Sequence, residues 1–349
     1  MKRIGGIFYR IADMDNLRLA AKMACRSRKD RGEVTAFKKD AEGKLSALRE
    51  SILDGSYVSS NYRMFVTNEN GKDRLVADLP LYPDRILHWA ICLVAEGPLN
   101  RKLIGQTYAS IPGTGHHAAM LKVYSYIRKD PRVKYALSVD VSKFFASVDK
   151  GIMKSKLREV YKDCQFLRLM DGLIDDYELP GLPIGNRTSP MLANLYLSEI
   201  DHAMKERYHC HYYVRYMDDI VILGYSTKWL HRMKRILEGM LTDIGLEIKC
   251  NWQVYPIDSR GIPFLGYRIF SDHILLKKRT KRRMQRAAKR IAERLEDPDH
   301  VMDRHDLGTV HSYEGVLKWC NGKNLRKVTF DPLYRADERN QCVPKEMIS

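Results

Sequence analysis

The chain of 349 residues is predicted to adopt an α+β fold in which helices pack around an antiparallel sheet. The apolar segment 135–141 and the segment 212–223, in which β-branched runs flank an acidic pair, are typical of central strands. Apolar residues at helical spacing cover residues 227–244 and end at Gly245, a common residue after a helix. A hydrophobic content of 44% and a charged content of 30% fit a globular protein with a large core.

The regions on either side of the first central strand are predicted to combine helices with one hairpin. Helical patterns cover residues 16–29, 42–53 and 85–96. Strand patterns cover residues 62–67 and 74–77, with an Asn-Glu-Asn-Gly turn signal between them. Further along the chain, Ser189 is predicted to cap a helix whose first turn contains Pro190.

The composition changes after residue 270, where one helix is predicted to carry a cationic face. Residues 277–294 contain ten Lys or Arg residues, while Met284, Ala287, Ala288, Ile291 and Leu295 keep helical spacing on the other side. Such a helix is either a solvated face or a surface that follows phosphates. The near absence of acids on it favours the second interpretation.

The net charge of +17, from 60 Lys and Arg against 43 Asp and Glu, predicts a polyanionic partner. No apolar stretch is long enough to span a bilayer, and the N-terminus lacks the apolar core of a secretory signal, so no membrane partner is expected. The seven cysteines form no C-x-x-C pair, which favours ordinary thiols in the reducing environment of a cytoplasmic protein.

Carboxylates stand at the ends of both predicted central strands. Asp140 closes the first strand, where a carboxylate is costly unless it is hydrogen-bonded or holds a metal. Asp218 and Asp219 lie between apolar runs, as in a hairpin placed beside that strand. Asp140 and Asp218 could together hold two Mg²⁺ ions about 4 Å apart.

A glycine-rich loop, residues 181–190, lies between these two acidic segments. Its glycines are predicted to permit close backbone approach to a bound template or nucleotide. The loop alone is weak evidence, whereas the three segments in this order are strong evidence for one catalytic design.

These three segments resemble the palm motifs of reverse transcriptases. Residues 70–74 with 79–85 resemble the fingers motif of bacterial enzymes, and residues 108–116 are similar to their insertion before the palm. Residues 264–267 resemble the primer grip, and residues 312–321 resemble the thumb of group II intron-like enzymes. The resemblance covers roughly residues 10–330.

The resemblance implies a right-hand polymerase with fingers, palm and thumb. The expected boundaries are fingers with an N-terminal helical region at 1–134, a palm at 135–270 with an interleaved fingers segment at 152–180, a helical basic thumb at 271–335, and a tail at 336–349.

The resemblance also implies the site residues. Asp140, Asp218 and Asp219 would be catalytic and would bind two Mg²⁺ ions together with the Val141 carbonyl, with Mn²⁺ as the alternative ion. The expected nucleotide-binding residues are Lys72, Arg74, Phe145, Ile184 and Gly185. Phe145 would be the ring that excludes a ribose 2′-hydroxyl, and its neighbour Phe144, on the opposite face of an extended segment, would be core.

The implied activity is RNA-directed DNA synthesis. The residues expected to bind primer or template are Tyr216, Met217, Phe264, Leu265, Gly266, Tyr267, Arg282, Arg283, Arg286 and Lys289. The expected partners are a structured or template RNA, the cDNA and deoxynucleoside triphosphates. A separately encoded accessory protein and a homo-oligomer are open further expectations.

Alternatives remain open within and outside this family. Most reverse transcriptases have Gln where this chain has Ile184, and an aliphatic residue there resembles error-prone, diversity-generating enzymes. Those enzymes usually continue with Ser-Gln, whereas this chain has Ser189-Pro190, so antiviral defence enzymes with a dedicated RNA remain competitors. Two further rivals are an RNA-dependent RNA polymerase and an RNA-binding scaffold with a vestigial site.

Overall fold

The computed structural model describes residues 2–26, 32–69 and 71–342, with the side chains of residues 69 and 72 excepted. Among the described residues, no helix is both long enough and apolar enough to cross a membrane.

The helices and strands occur largely in separate runs along the chain, as in the predicted α+β fold. The helices are α1 (Phe8–Ile11), α2 (Met14–Cys25), α3 (Gly32–Lys38), α4 (Ala41–Asp54), α5 (Ile86–Asn100), α6 (His116–Lys129), α7 (Phe144–Ser147), α8 (Lys150–Val160), α9 (Cys164–Asp175), α10 (Ser189–His202), α11 (Thr227–Asp243), α12 (Ile257–Arg260), α13 (Lys278–Arg294), α14 (Arg304–Leu317) and α15 (Lys323–Gln341). The strands are β1 (Arg63–Glu69), β2 (Lys72–Asp78), β3 (Tyr135–Asp140), β4 (Tyr213–Tyr216), β5 (Asp219–Gly224), β6 (Gln253–Pro256), β7 (Ile262–Phe264), β8 (Tyr267–Ile269) and β9 (Ile274–Leu276).

The strands of the described residues form three sheets, and the antiparallel pairing predicted for the β1–β2 hairpin and for the central sheet is confirmed. β1 and β2 form a hairpin, and β7, β8 and β9 form a three-stranded sheet. The four-stranded sheet has the order β4–β5–β3–β6, with antiparallel pairing of β4 with β5 and of β3 with β6.

The chain divides into two compact units that do not coincide with the predicted fingers, palm and thumb boundaries. The first unit contains residues 1–115, 139–222 and 231–252. The second unit contains residues 116–138, 223–230 and 253–349. The first holds all three predicted acidic site residues, and the second holds the predicted primer grip and the basic helix.

Helix α10 lies in the core of the first unit and is buried along most of its length. Pro190 is in its first turn, as predicted. Thr188, not Ser189, is the residue that precedes the helix, so the cap prediction was wrong by one residue. The hydroxyl of Thr188 bonds to Nδ1 of the buried His88 at 2.8 Å instead of capping a backbone N–H.

An ion pair inside the first unit joins α10 to β4. Arg215 and Asp201 are both 0% exposed, and the Arg215 Nη2 lies 2.6 Å from Asp201 Oδ2. Tyr213 donates its hydroxyl to the same carboxylate at 2.6 Å. Because removal from water is costly for both ions, the pair is stable only with these additional hydrogen bonds. The arrangement fixes the position of β4 against α10.

In the second unit, the apolar face of α13 packs as predicted. Met284, Ala288 and Ile291 join a core cluster with residues of α14 and α15, including Val310 and Phe330. The basic side chains of α13 lie on its exposed face.

The predicted tail is wrong for residues 336–341, which continue α15. Asp337 and Asn340 are buried there, and the Asn340 amide donates to the backbone oxygens of Leu295 and His300 at 3.0 and 2.8 Å. These bonds close the end of α13 and hold the last turn of α15. The residues from 343 onward lie outside the described part of the chain.

We expect Arg215→Met to lower the free energy of unfolding by about 3 to 5 kcal/mol, because it leaves Asp201 buried without its counter-ion. Chemical denaturation of the full chain measures this loss. The matched control is Lys154→Met, which breaks a pair with Asp175, a carboxylate that is 59% exposed, and should cost less than about 1 kcal/mol. Equal losses in the two variants would contradict the structural role of the buried pair.

Candidate functional site

The end of β3 places Asp140 between two other backbone segments. The Asp140 carbonyl accepts the N–H of Lys249 at 2.9 Å. The next residue, Val141, donates its N–H to the carbonyl of Asp218 at 3.1 Å. Val141 also pairs with Ile248 in an isolated bridge. Asp140 is therefore held beside the β4–β5 turn on one side and residues 247–249 on the other.

The predicted hairpin around the acidic pair is confirmed. Tyr216 pairs with Asp219, so the loop between β4 and β5 contains only Met217 and Asp218. Met217 has a φ of 53°, a left-handed conformation that tight hairpin loops demand and that non-glycine residues adopt at a cost. Asp218 thus lies at the tip of the loop, while Asp219 is the first residue of β5.

The Asp218 loop is tied to the buried ion pair of this unit. Arg215 donates from Nη1 to the carbonyl oxygen of Met217 at 3.1 Å, and it contacts the side chain of Asn194 at 3.2 Å. The same guanidinium is held by Asp201. Arg215 therefore connects the core helix to the residue that precedes Asp218. Neither Arg215 nor Asp201 was singled out from sequence, since an Arg before an acidic turn forms no pattern.

The two carboxylates at this point are in electrostatic contact. Burial and the charge of Asp140 raise the pKa of Asp218 to about 6. A cation lies against them, because the Lys249 ammonium contacts Asp140 Oδ1 and is 4.0 Å from Asp218 Oδ2. Two close carboxylates that need a cation are a donor set that suits Mg²⁺ or Mn²⁺. The residues present therefore fit a divalent metal site.

Lys249 is the site residue that sequence reasoning missed. It follows the helix α11 and Gly245 in a segment with no recognisable motif, and its role depends on a backbone pairing with residues 140–142. The only local signal is a single basic residue after an apolar run, which is too common to identify a site.

Phe145 and Ile184, both predicted to bind nucleotide, line one cavity of about 630 Å³ in the first unit. Phe144 is buried with 3% exposure, while Phe145 is half-buried, so Phe144 is the core ring as predicted. The two phenylalanines begin the short helix α7, which contradicts the extended segment expected there. Lys143, with a φ of 42°, turns the chain out of the strand direction before this helix.

The glycines of the 181–190 loop approach the protein's own backbone. A Cβ on Gly181, which has a φ of +82°, would lie 2.1 Å from the carbonyl oxygen of Phe145. A Cβ on Gly185, with a φ of +129°, would lie 2.5 Å from the carbonyl oxygen of Ala77. Packing of the loop on α7 and β2 thus accounts for glycine at both positions. The expected contact of this loop with a template or nucleotide stays a prediction.

The 181–190 loop is also joined to strand β2 by a backbone hydrogen bond. The N–H of Ala77 donates to the carbonyl of Ile184 at 2.8 Å. Arg74, predicted to contact the triphosphate, is exposed on the same strand, β2. Lys72 is the first residue of β2, and its side chain lies outside the described residues.

In the second unit, the predicted primer grip is a hairpin turn whose flanking rings are buried. Phe264 and Tyr267 are 0% and 1% exposed, so their side chains do not face solvent. Leu265 and Gly266, both with positive φ, form the turn and are half-buried. The Tyr267 hydroxyl is held by Nε2 of His117 at 2.9 Å. Any primer contact from this hairpin is therefore left to the turn residues.

The four predicted template-binding residues of α13, Arg282, Arg283, Arg286 and Lys289, are all exposed. Nearby, the possible metal-ligand atoms of Asp303, His305 and Asp306 lie within 4.8 Å of one another. Asp303 caps α14 and the buried Asp306 pairs with Arg294, so both carboxylates have structural partners.

Comparison with known proteins gives a match over the centre of the chain. A family model described as reverse transcriptase (RNA-dependent DNA polymerase) matches residues 91–269, just over half of the chain. YkfC of Escherichia coli strain K12 is 23% identical over 273 residues, which cover 64% of this chain and 71% of YkfC. The group II intron-encoded protein LtrA of Lactococcus lactis subsp. cremoris is 21% identical over 171 residues, covering 46% of this chain and only 28% of LtrA.

Solved structures of telomerases give more distant matches. A Candida albicans telomerase in complex with a telomeric RNA fragment has a TM-score of 0.49 and 10% identity, covering 66% of this chain and 50% of that chain. A truncated apo telomerase from Candida tropicalis also has a TM-score of 0.49, with 12% identity, covering 62% of this chain and 55% of that chain. The family match over half of the chain confirms the predicted resemblance: the protein belongs to the reverse transcriptase family of RNA-dependent DNA polymerases.

Proposed function

We propose that this chain is an RNA-directed DNA polymerase whose catalytic carboxylates are Asp140, Asp218 and Asp219. The observation that carries the proposal is the meeting of Asp140 and Asp218 around one cation, the Lys249 ammonium. These side chains come from a strand end and a hairpin loop that are far apart in sequence. Asp219 begins the strand that leaves the loop.

Reverse transcriptases use divalent metal ions, and we propose Mg²⁺ here, with Mn²⁺ as a substitute. Asp140 and Asp218 would be the main ligands, with the Val141 carbonyl and Asp219 contributing. When bound by these residues, Mg²⁺ would supply Lewis-acid chemistry that favours ionisation of a primer hydroxyl and offsets negative charge on phosphate oxygens. The chain's own contribution is to hold two carboxylates close together before any metal binds. Arg215 contributes through its hydrogen bond to the Met217 carbonyl, which fixes the loop that carries Asp218.

The nucleotide site is proposed to involve the cavity that contains Phe145 and Ile184, with Gly185 at its edge. Phe145 is half-buried there, and its ring is positioned by Phe144 at a centroid distance of 5.6 Å. A fixed aromatic ring rejects a larger sugar by collision, which is an effective route to specificity. Arg74, exposed on β2, and Lys72 are proposed to neutralise triphosphate charge.

The primer and template are proposed to contact Tyr216 and Met217 at the catalytic hairpin. Leu265 and Gly266 would contribute from the β7–β8 turn, and the exposed basic face of α13 would follow phosphates. The exposed basic side chains of α13 support a partner RNA and the cDNA product as polyanionic ligands. Binding of an accessory protein or of a second copy of the chain is also proposed, but no surface is assigned to either partner.

Ile184 is the residue from which we propose the biological role of the enzyme, either sequence diversification or antiviral defence. An aliphatic side chain in the cavity with Phe145 offers no amide to the templating base pair, which favours an error-prone, diversity-generating enzyme. The alternative is a defence enzyme that copies a dedicated structured RNA. Both programmes share the polymerase chemistry and differ in the RNA that is copied.

We expect Asp218→Asn to reduce primer extension on an RNA template by about 100-fold or more, which corresponds to about 2.7 kcal/mol of lost transition-state stabilisation. The neutral amide removes charge that the metal ions need. Gel-based primer extension measures the rate, and binding of the primer–template should persist. The matched control, Asp175→Asn, alters an exposed carboxylate paired with Lys154 and should retain activity. Equal synthesis by Asp218→Asn and the unsubstituted chain would favour the scaffold alternative.

Phe145→Ala should reduce the preference for deoxynucleotides over ribonucleotides by about tenfold or more, because the ring no longer collides with the 2′-hydroxyl. The measurement is the ratio of incorporation efficiencies for the two sugars. Phe144→Leu is the matched control, since Phe144 is buried and should affect stability without changing sugar choice. An unchanged ratio in Phe145→Ala would contradict the proposal that this ring excludes ribonucleotides, and it would leave an RNA-dependent RNA polymerase as an alternative function.

Ile184→Gln should lower misincorporation opposite template adenine, because the added amide can contact the templating pair. Sequencing of cDNA made in vitro on one template by both proteins measures the error spectrum. Ile184→Leu is the control, which keeps an aliphatic side chain and should keep the spectrum. If glutamine leaves the errors opposite adenine unchanged, the error-prone subtype loses its support.

A further inference from the structure

Lys249 is fixed beside the carboxylates by its backbone, independently of its side chain. Its N–H donates to the Asp140 carbonyl at 2.9 Å, and Ser142 donates to the carbonyl of Glu247 at 2.7 Å. Ile248 pairs with Val141 in the bridge between these bonds. The segment therefore runs alongside residues 140–142, and the side chain of Lys249 begins within reach of the metal site.

The charge of Lys249 meets the same oxygens that a divalent ion would need. Its ammonium contacts Asp140 Oδ1 and lies 4.0 Å from Asp218 Oδ2. The Lys249 side chain is 28% exposed, so the pair is partly shielded from water and more than a surface salt bridge. Without a cation, the two carboxylates would repel each other at this separation.

We propose that Lys249 is a built-in cation that competes with divalent metal for Asp140 and Asp218. The inference rests on the proposed function of these two carboxylates as metal ligands. The ammonium takes one acceptor position on Asp140 Oδ1, and its positive charge repels a divalent ion bound to the same carboxylates. Metal binding is therefore opposed by Lys249 and becomes more favourable when the ammonium moves away from Asp140. The lysine thereby holds the carboxylates together when metal is absent and raises the metal concentration that the site requires.

The alternative is that Lys249 only stabilises the fold through its salt bridge. A purely structural lysine would alter the unfolding temperature without a specific effect on metal affinity. Competition predicts that removing the lysine charge changes stability and metal affinity in opposite directions. Removing the charge weakens the metal-free protein, because Asp140 and Asp218 then repel, and it strengthens metal binding, because the competitor is gone.

The test is direct titration of the full chain with Mn²⁺, in the absence of nucleic acid and nucleotide, with free Mn²⁺ measured by electron paramagnetic resonance. Lys249→Met should lower the dissociation constant of the Asp218-dependent site by about tenfold, equivalent to about 1.4 kcal/mol. Lys249→Arg retains the charge and should bind Mn²⁺ no more tightly than the unsubstituted chain. Lys154→Met breaks another lysine–aspartate pair in the same unit and should leave the constant unchanged.

A second measurement covers the case in which Lys249→Met folds poorly. Lys249→Gln keeps a polar side chain, and its unfolding temperature without metal and with saturating Mn²⁺ should show a larger metal-induced increase than the unsubstituted chain. Equal Mn²⁺ affinity and an equal increase in the lysine variants would overturn the competition. If Asp218→Asn, with Lys249 retained, binds as much Mn²⁺ as the unsubstituted chain, the proposed metal site itself is wrong. The two failures are thus distinguishable.

Discussion

The buried ion pair between Arg215 and Asp201 is the interaction on which the arrangement of the site depends. Both residues are 0% exposed. The guanidinium of Arg215, which is on β4, bonds to Asp201 of the core helix α10 and to the carbonyl of Met217, next to Asp218. A buried pair contributes little net stability, because desolvation offsets most of the attraction. Its contribution here is geometric, since the guanidinium bonds to Asp201 and Asn194 of α10 and to the Met217 carbonyl at the same time. The tip of the β4–β5 loop is therefore placed by the core.

The second constraint is that the fold brings like charges together. Asp140 ends a strand and Asp218 ends a loop, and the bond from Val141 to the Asp218 carbonyl locks them side by side. The pKa of Asp218 rises to about 6 because burial and the charge of Asp140 disfavour its ionised form. Core packing and backbone hydrogen bonds must offset this repulsion. A site held in this way is preorganised for cations, and Lys249 supplies one from within the chain.

Local sequence patterns predicted the strands and turns that depend on neighbouring residues. The roles of individual side chains that depend on contacts with distant residues could not be predicted in this way. Asp140 at a strand end and the hairpin around Asp218 were predictable, because apolar strands and an acidic turn are local signals. The role of Gly181 was not, since it depends on the approach of the Phe145 backbone, 36 residues away in the chain. The burial of Tyr267 depends likewise on a distant partner, His117. The tail was misjudged because the polar end of α15 resembles a solvated segment, although Asn340 closes the core.

The central claim is that Asp140 and Asp218 form one divalent cation site. Crystals of the protein soaked with Mn²⁺, with diffraction data collected at the manganese absorption edge, test it most directly. We expect an anomalous difference peak in contact with carboxylate oxygens of both Asp140 and Asp218, with the Lys249 ammonium displaced from Asp140. The absence of a peak there, with Mn²⁺ bound only elsewhere, for example at Asp303 and His305, would contradict it.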